Sequence, residues 1–272
     1  MNDKMKNLLV RTASGIVLTV VIFGAVLWSR WSYGALLALL TVGGMLEFYS
    51  LARHCGASPQ SVIGIVTGLT LLALAFFLTG SEPAAGVLLF LLLLLLLPIS
   101  FIYALWSKSP HPVADIGATV MGVLYVAMPF AFAACCNALE DKWPIIGYIL
   151  IIWANDVFAY LVGLAIGRHP LFPRLSPKKS WEGFIGGIVG AVAVGLVAGH
   201  LSGGDYLFWG GLALIASVTG VAGDLVESMF KRAAGVKDSG GLIPGHGGVL
   251  DRFDAMLLSI PFVCVYLLFY LK

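Results

Sequence analysis

The sequence predicts an all-α polytopic integral membrane protein, with about nine transmembrane helices and a cytoplasmic N-terminus. Three observations carry that prediction. Of the 272 residues, 60% are hydrophobic and 11% charged, against about 45–50% and about 25% in a soluble domain. Mean hydropathy is +0.97. Apolar runs close to twenty residues recur along the chain, the length a helix needs to cross the hydrocarbon of a bilayer. The same composition excludes a disordered chain, which needs low hydrophobicity and high charge. A net charge of +2 gives no argument for a nucleic-acid partner.

The runs fall at 12–29, 33–52, 61–79, 84–106, 116–137, 143–167, 183–200, 206–223 and 255–271. The first follows Lys4, Lys6 and Arg11 but has no small-residue cleavage site before Trp28-Ser29-Arg30-Trp31, so it reads as an uncleaved helix rather than a signal peptide. The fourth holds an unbroken apolar run over 87–97. Alternating the spans from a cytoplasmic N-terminus puts 13 of the 16 cations inside, with Arg30, Lys142 and Lys272 outside. That asymmetry is the one the positive-inside rule expects. Cys55, Cys135, Cys136 and Cys264 show no metal-ligand spacing and read as small buried residues.

The spans divide into an N-terminal set of about five over 1–140 and a C-terminal region over 141–272. Two long connections, 168–182 and 224–254, lie on the cytoplasmic side in this topology. The second holds Asp224, Glu227, Asp238, Asp251 and Asp254, five of the fourteen acids, with four cations and His246. Its start continues the eighth helix, so Asp224, Glu227, Ser228 and Lys231 share one helix face. Asp251 and Asp254, three apart, share a face if the ninth helix begins there. Two acidic faces joined by a loop can converge on a hard cation, which takes oxygen ligands; a solvated loop laced with ion pairs would carry the same residues.

Between the acids runs Gly240-Gly241-Leu242-Ile243-Pro244-Gly245-His246-Gly247-Gly248. Glycine permits close backbone approach and amides aimed at phosphate oxygens, although a tight turn would look the same. In the first connection stands Ser176-Pro177-Lys178-Lys179-Ser180-Trp181-Glu182-Gly183. Ser180 is placed to cap the seventh helix, and free amides there with two lysines make an anion site; lysines flanking a span also serve as topology anchors. Asp156 stands inside the sixth span, and Glu47 nearer the end of the second. A charge at the bilayer centre costs roughly 2.5–3.5 kcal/mol on insertion scales, which favours a polar cavity around Asp156. Glycine and alanine recur every four residues at 159, 163 and 167 and at 183, 187, 191, 195 and 199, a pattern that lets helices pack closely.

Ser228-Met229-Phe230-Lys231-Arg232, then Lys237-Asp238, Pro244-Gly245-His246-Gly247-Gly248 and Asp251-Arg252-Phe253-Asp254 together resemble the signature of the phosphatidate cytidylyltransferases, or CDP-diacylglycerol synthases. The SPKKSWEG stretch and the Asn155-Asp156, Ala159-Tyr160, Gly163 pattern are similar to the same family, so that the resemblance covers about the C-terminal half. It implies transfer of a cytidylyl group from CTP to phosphatidic acid, giving CDP-diacylglycerol and pyrophosphate for phospholipid synthesis. It also implies magnesium, a monovalent cation such as potassium, membrane lipid and a homodimer. The matching positions are Asp224, Asp251, Lys237, Asp238, His246 and Arg252 as catalytic candidates. Asp224, Asp251, Asp254 and Asp156 are metal candidates, and Ser176, Lys178, Lys179, Ser180, Ser228, Lys231, Arg232, Gly247 and Gly248 are substrate contacts. By analogy the chain belongs in a bacterial cytoplasmic membrane with its site facing the cytoplasm. A transporter is the rival from another class, since it too has many spans and an intramembrane acid. The CDP-alcohol phosphatidyltransferases are excluded by the spacing of Asp251-Arg252-Phe253-Asp254.

Overall fold

Helix α1 (Asp3–Trp28) and helix α2 (Arg30–His54) are separated by Ser29 alone. The Ser32 amide donates to Ser29 Oγ at 3.1 Å and the Ser29 amide to Ser32 Oγ at 3.0 Å. This reciprocal cap satisfies amides that a helix start leaves without partners. The computed structural model describes residues 3–79, 83–136, 142–242 and 247–270. Among them, eight helices are long and apolar enough to cross a membrane, with the shorter apolar stretch Thr12–Trp28 in addition. The chain divides into two compact units.

The first unit comprises Met1–Leu139 and Ala233–Phe253. It therefore includes most of the connection that the sequence assigns to the C-terminal region. After α2 come α3 (Ser61–Leu78), α4 (Pro83–Trp106), α5 (Pro112–Gly122), a π-helical turn (Val123–Ala127) and α6 (Met128–Cys136). The last three form one apolar segment, Pro112–Cys136, where the hydrophobic pattern predicts a single uninterrupted helix. Several polar groups inside this unit are matched in pairs. Ser100 Oγ donates to Gln60 Oε1 at 2.6 Å, Gln60 Nε2 to the Ser100 carbonyl at 3.1 Å, and the Gln60 amide to Thr119 Oγ1 at 2.8 Å. The Ser58 amide donates to Asp115 Oδ1 at 2.6 Å, and the Tyr49 hydroxyl to the Thr119 carbonyl at 2.9 Å. Buried polar groups cost free energy unless bonded, and these bonds hold the start of α3 against α4 and α5.

The second unit comprises Glu140–Arg232 and Asp254–Lys272. It contains α7 (Trp143–Ile166), strands β1 (Pro170–Phe172) and β2 (Ser176–Ser180), α8 (Trp181–Ser202) and α9 (Tyr206–Ala233). Most of α10 (Leu250–Tyr270) belongs to it as well. The 24 residues of α7 reach roughly 36 Å at 1.5 Å per residue, enough for the hydrocarbon with some tilt. Helices α7 and α8 approach through the small-residue stripes. A Cβ on Gly187 would sit 2.7 Å from Asn155 Oδ1 and 2.9 Å from its carbonyl oxygen. Tyr148 on α7 meets Ser259 on α10 at 2.5 Å, hydroxyl to hydroxyl. Outside the spans, the Tyr270 hydroxyl and then the Leu207 amide hold the exposed Asp205 carboxyl below its ordinary range.

Large apolar side chains point outward, among them Leu88 (69% exposed), Leu105 (79%) and Leu164 (73%). Exposed apolar side chains on this scale suit lipid rather than water. The short antiparallel hairpin of β1 and β2 is a departure from the sequence reading, which expects only a loop over 168–182. All four cysteines are free, with Cys264 buried, Cys135 and Cys136 half-buried and Cys55 exposed; the burial expected of the set holds for Cys264 alone. Gly187→Leu drives a side chain into Asn155, and overpacking costs about 1–3 kcal/mol. The expected outcome is a melting temperature in detergent several degrees below wild type, and an unchanged melt would refute tight α7–α8 packing here.

Candidate active site

The hairpin positions the two lysines of the first connection. Its register pairs Pro170 with Ser180 and Phe172 with Ser176, with an irregularity between them. Its base is clasped by Glu182 in the first turn of α8. Glu182 Oε2 accepts the Arg168 amide at 3.1 Å and the His169 amide at 3.2 Å, while Oε1 meets His169 Nδ1 at 2.5 Å. Ser180 is the N-cap of α8 and accepts the Gly183 amide at 3.1 Å. Along β2, Lys178 is exposed and Lys179 half-buried.

Both lysines line a cavity of about 640 Å³ within the second unit. Its wall also carries Asp156 and Tyr160 from α7, Ser180 before α8, Phe184 on α8, and Val221 and Asp224 from α9. Lys179 and Asp224 form an ion pair, with side chains 27% and 33% exposed. Such partial burial screens the pair less than a surface bridge. Ser228, one turn along α9, donates to Asp224 Oδ1 at 3.3 Å. A further turn brings Lys231 to 2.5 Å from Glu227, whose side chain is 1% exposed.

Asp224, Glu227 and Asp254 each offer a carboxylate oxygen, and the three oxygens lie within 4.8 Å of one another. Their convergence depends on α9 and α10 coming close at Gly223, where a Cβ would lie 3.2 Å from Ala255 Cα. Three hard oxygen donors, one fully buried, fit a divalent cation such as magnesium, which keeps few carboxylates and completes its shell with water or phosphate. Glu227 was on the acidic face seen in the sequence but not among the metal candidates. The signal for it was present: it is three residues beyond Asp224 on the same helix.

The remaining signature residues lie elsewhere or fall outside the described residues. Asp251 belongs to the first unit, where its Oδ2 accepts the Ser239 amide, the Ser239 hydroxyl and the Gly248 amide, each at 2.9 Å. Lys237, Asp238 and Arg252 are exposed in that unit, Gly247 is half-buried with φ +82°, and Gly248 is buried. Arg232 is exposed in the last turn of α9, and Ser176 is half-buried at the start of β2. His246 lies outside the described residues.

A family model described as the cytidylyltransferase family matches residues 9–270. The phosphatidate cytidylyltransferase of Staphylococcus haemolyticus is 32% identical over 270 residues, covering 97% of this chain and 99% of that protein. Its namesake from Staphylococcus saprophyticus is 33% identical over 269 residues, covering 95% and 98%. That of Staphylococcus aureus (strain COL) is 40% identical over 178 residues, 64% of this chain and 68% of that protein. The likeness thus extends through the N-terminal half, beyond the C-terminal half in which the sequence motifs stand.

If the three acids hold a divalent cation, purified protein in detergent will bind Mn²⁺, read by loss of the free-ion paramagnetic resonance signal. Asp254→Asn and Asp224→Asn are each expected to weaken that binding at least about tenfold, or ~1.4 kcal/mol. Wild-type affinity in both variants would remove the cluster as a metal site.

Proposed function

This chain belongs to the cytidylyltransferase family, and we propose that it transfers a cytidylyl group from CTP to phosphatidic acid at the cytoplasmic membrane face. The products are CDP-diacylglycerol and pyrophosphate, supplied to phospholipid synthesis. It is an enzyme of the membrane, with apolar helices around the lysine-lined cavity. The observation that supports this reading best is the meeting of Lys179 and Asp224 on that cavity, with Glu227 and Asp254 beside Asp224. Cations for phosphate and acids for a metal adjoin a surface suited to lipid.

Phosphatidic acid brings its own anionic oxygen, so the protein need supply neither a nucleophile nor a strong base. That oxygen attacks the α-phosphorus of CTP. A new P–O bond forms to the lipid phosphate, the α–β bridging P–O bond breaks, and its electron pair leaves with pyrophosphate. The barrier lies in repulsion between two polyanions and in charge developing on the leaving group. Positioning and fixed charge lower both.

Lys178 and Lys179 contact phosphate oxygens, while Ser176 and Ser180 orient them by hydrogen bonds. Lys231 and Arg232 add positive charge along α9, with Ser228 on the same face. Lys237, Asp238, His246, Gly247, Gly248, Asp251 and Arg252 enter through the signature they form in the sequence. Asp224, Glu227 and Asp254 would hold Mg²⁺, with Asp156 and Asp251 as further carboxylate candidates, and a monovalent cation such as K⁺ would accompany it. The bound metal supplies charge neutralisation on the triphosphate. The working form is a homodimer.

Pyrophosphate release by the purified protein tests the proposal directly. Release is expected only with CTP, phosphatidic acid and Mg²⁺ all present, to vanish with chelator, and to fall roughly 10²–10³-fold in Asp224→Asn, the usual scale for losing one preorganised charge-stabilising group. Asp251→Ala is expected to abolish it. No release from folded protein with Mg²⁺ and K⁺ would overturn the assignment and favour a transporter.

Orientation has its own test in a cysteine-free background. An impermeant maleimide is expected to label Lys142→Cys in intact cells, and Lys237→Cys only after permeabilisation. The reverse pattern would put the site on the other face.

A further inference from the structure

Glu47 lies within the apolar helix α2, is 5% exposed, and has both carboxylate oxygens committed. Oε1 accepts the Val249 amide at 2.9 Å. Oε2 accepts the Leu250 amide at 2.9 Å and the Ser239 hydroxyl at 3.1 Å. A carboxylate in apolar surroundings costs several kcal/mol unless its lone pairs are bonded, so three donors explain its tolerance there. Two of them are amides at the start of α10, which a helix cannot bond internally and whose partial positive charge favours an anion.

The same carboxylate dictates glycine on the facing loop. A Cβ at Gly240 would lie 2.6 Å from Glu47 Oε1, and one at Gly248 would collide with Oε2. The loop backbone therefore closes on Glu47 from both of its ends. Ser239 sits between two acids, its hydroxyl 3.1 Å from Glu47 Oε2 and 2.9 Å from Asp251 Oδ2. A hydroxyl carries one proton and can donate to one of them at a time. Asp251 keeps its orientation through the Ser239 and Gly248 amides, and those belong to the two segments that Glu47 holds.

We infer that Glu47 is a positioning residue of this enzyme: it fixes Ser239 and the segment 248–250, and through Ser239 and Gly248 the carboxylate of Asp251. This rests on the proposed cytidylyl transfer for its effect on rate. The geometry itself stands on the hydrogen bonds alone. Glu47 touches no reacting atom in this scheme. It gives the N-terminal helices a direct part in the activity, because α2 supplies the acceptor that the signature loop cannot supply for itself.

Glu47→Gln keeps the size but turns an amide NH₂ toward backbone donors. Two readouts on the full chain in detergent test the inference. Hydrogen–deuterium exchange of peptides within 233–253 is expected to speed up at least about tenfold, while peptides within 142–232 keep wild-type rates. Turnover of CTP and phosphatidic acid is expected to fall at least about tenfold in kcat. The KM for phosphatidic acid should stay within about twofold and the melting temperature should be near wild type.

Ser239→Ala removes the hydroxyl between the two acids and leaves the backbone amides in place. It is expected to lower kcat about threefold or more without a change in melt, and it carries the test if Glu47→Gln does not fold. Wild-type exchange and kcat in Glu47→Gln would overturn the inference, as would wild-type kcat in Ser239→Ala. Faster exchange along the whole chain in Glu47→Gln would also overturn it, by making Glu47 a general stability residue. If the wild-type protein itself releases no pyrophosphate, the transferase reading fails while the exchange arm still decides the role of Glu47 in the loop.

Discussion

Hydrocarbon offers no hydrogen-bond partner, so every backbone amide and carbonyl within a span must find one inside the protein. That constraint makes the spans helical, and it reaches the side chains as well. Ser100 and Gln60 bond each other, and Tyr148 meets Ser259. Glu47 takes two backbone amides and shares the Ser239 hydroxyl with Asp251. Each of these polar groups inside an apolar helix has a specific partner facing it. The backbone entering α10 follows the same rule, with the amides of Gly248, Val249 and Leu250 ending on Asp251 and Glu47.

Charge is concentrated where it can be used against other charge. Lys179 is held by Asp224, Lys231 by Glu227, and the hairpin that carries Lys179 is clasped by Glu182. In the absence of substrate these acids keep the lysines in place without burying an unpaired charge. A triphosphate can compete for such half-exposed cations, and a hard cation can compete for the acids. Lysines and acids thus each partly satisfy the other, an arrangement that stays open to competition from an added anion or cation.

Small residues determine how near the working groups come. Gly187 lets α8 lie against the Asn155–Ala159 face of α7, and Gly223 lets α9 reach the start of α10. Without these approaches Asp224 and Asp254 would be separated by side-chain thickness. In the hydrocarbon, where lipid is as apolar as leucine, close van der Waals packing is what holds such helices together.

The sequence by itself determined the architecture, because the requirement for about twenty apolar residues per span is local and can be counted. It also determined the family, because the signature residues over 228–254 are contiguous in the chain, and it showed the acidic face of α9 through the three- and four-residue spacing of Asp224, Glu227 and Ser228. Only the tertiary structure decided which acids meet. Asp254 joins Asp224 and Glu227, whereas Asp251, three residues earlier on the same helix, bonds Ser239 and Gly248. Helical spacing says which residues share a face but not what that face meets. The β1–β2 hairpin was hidden because its strands are short and irregular in register, and because Glu182 clasps its base through the amides of Arg168 and His169, a contact with no periodic signal. Glu47 was hidden for a deeper reason: its partners stand some two hundred residues away in the chain, and an acid near the end of a span looks the same whether it faces water or the start of another helix.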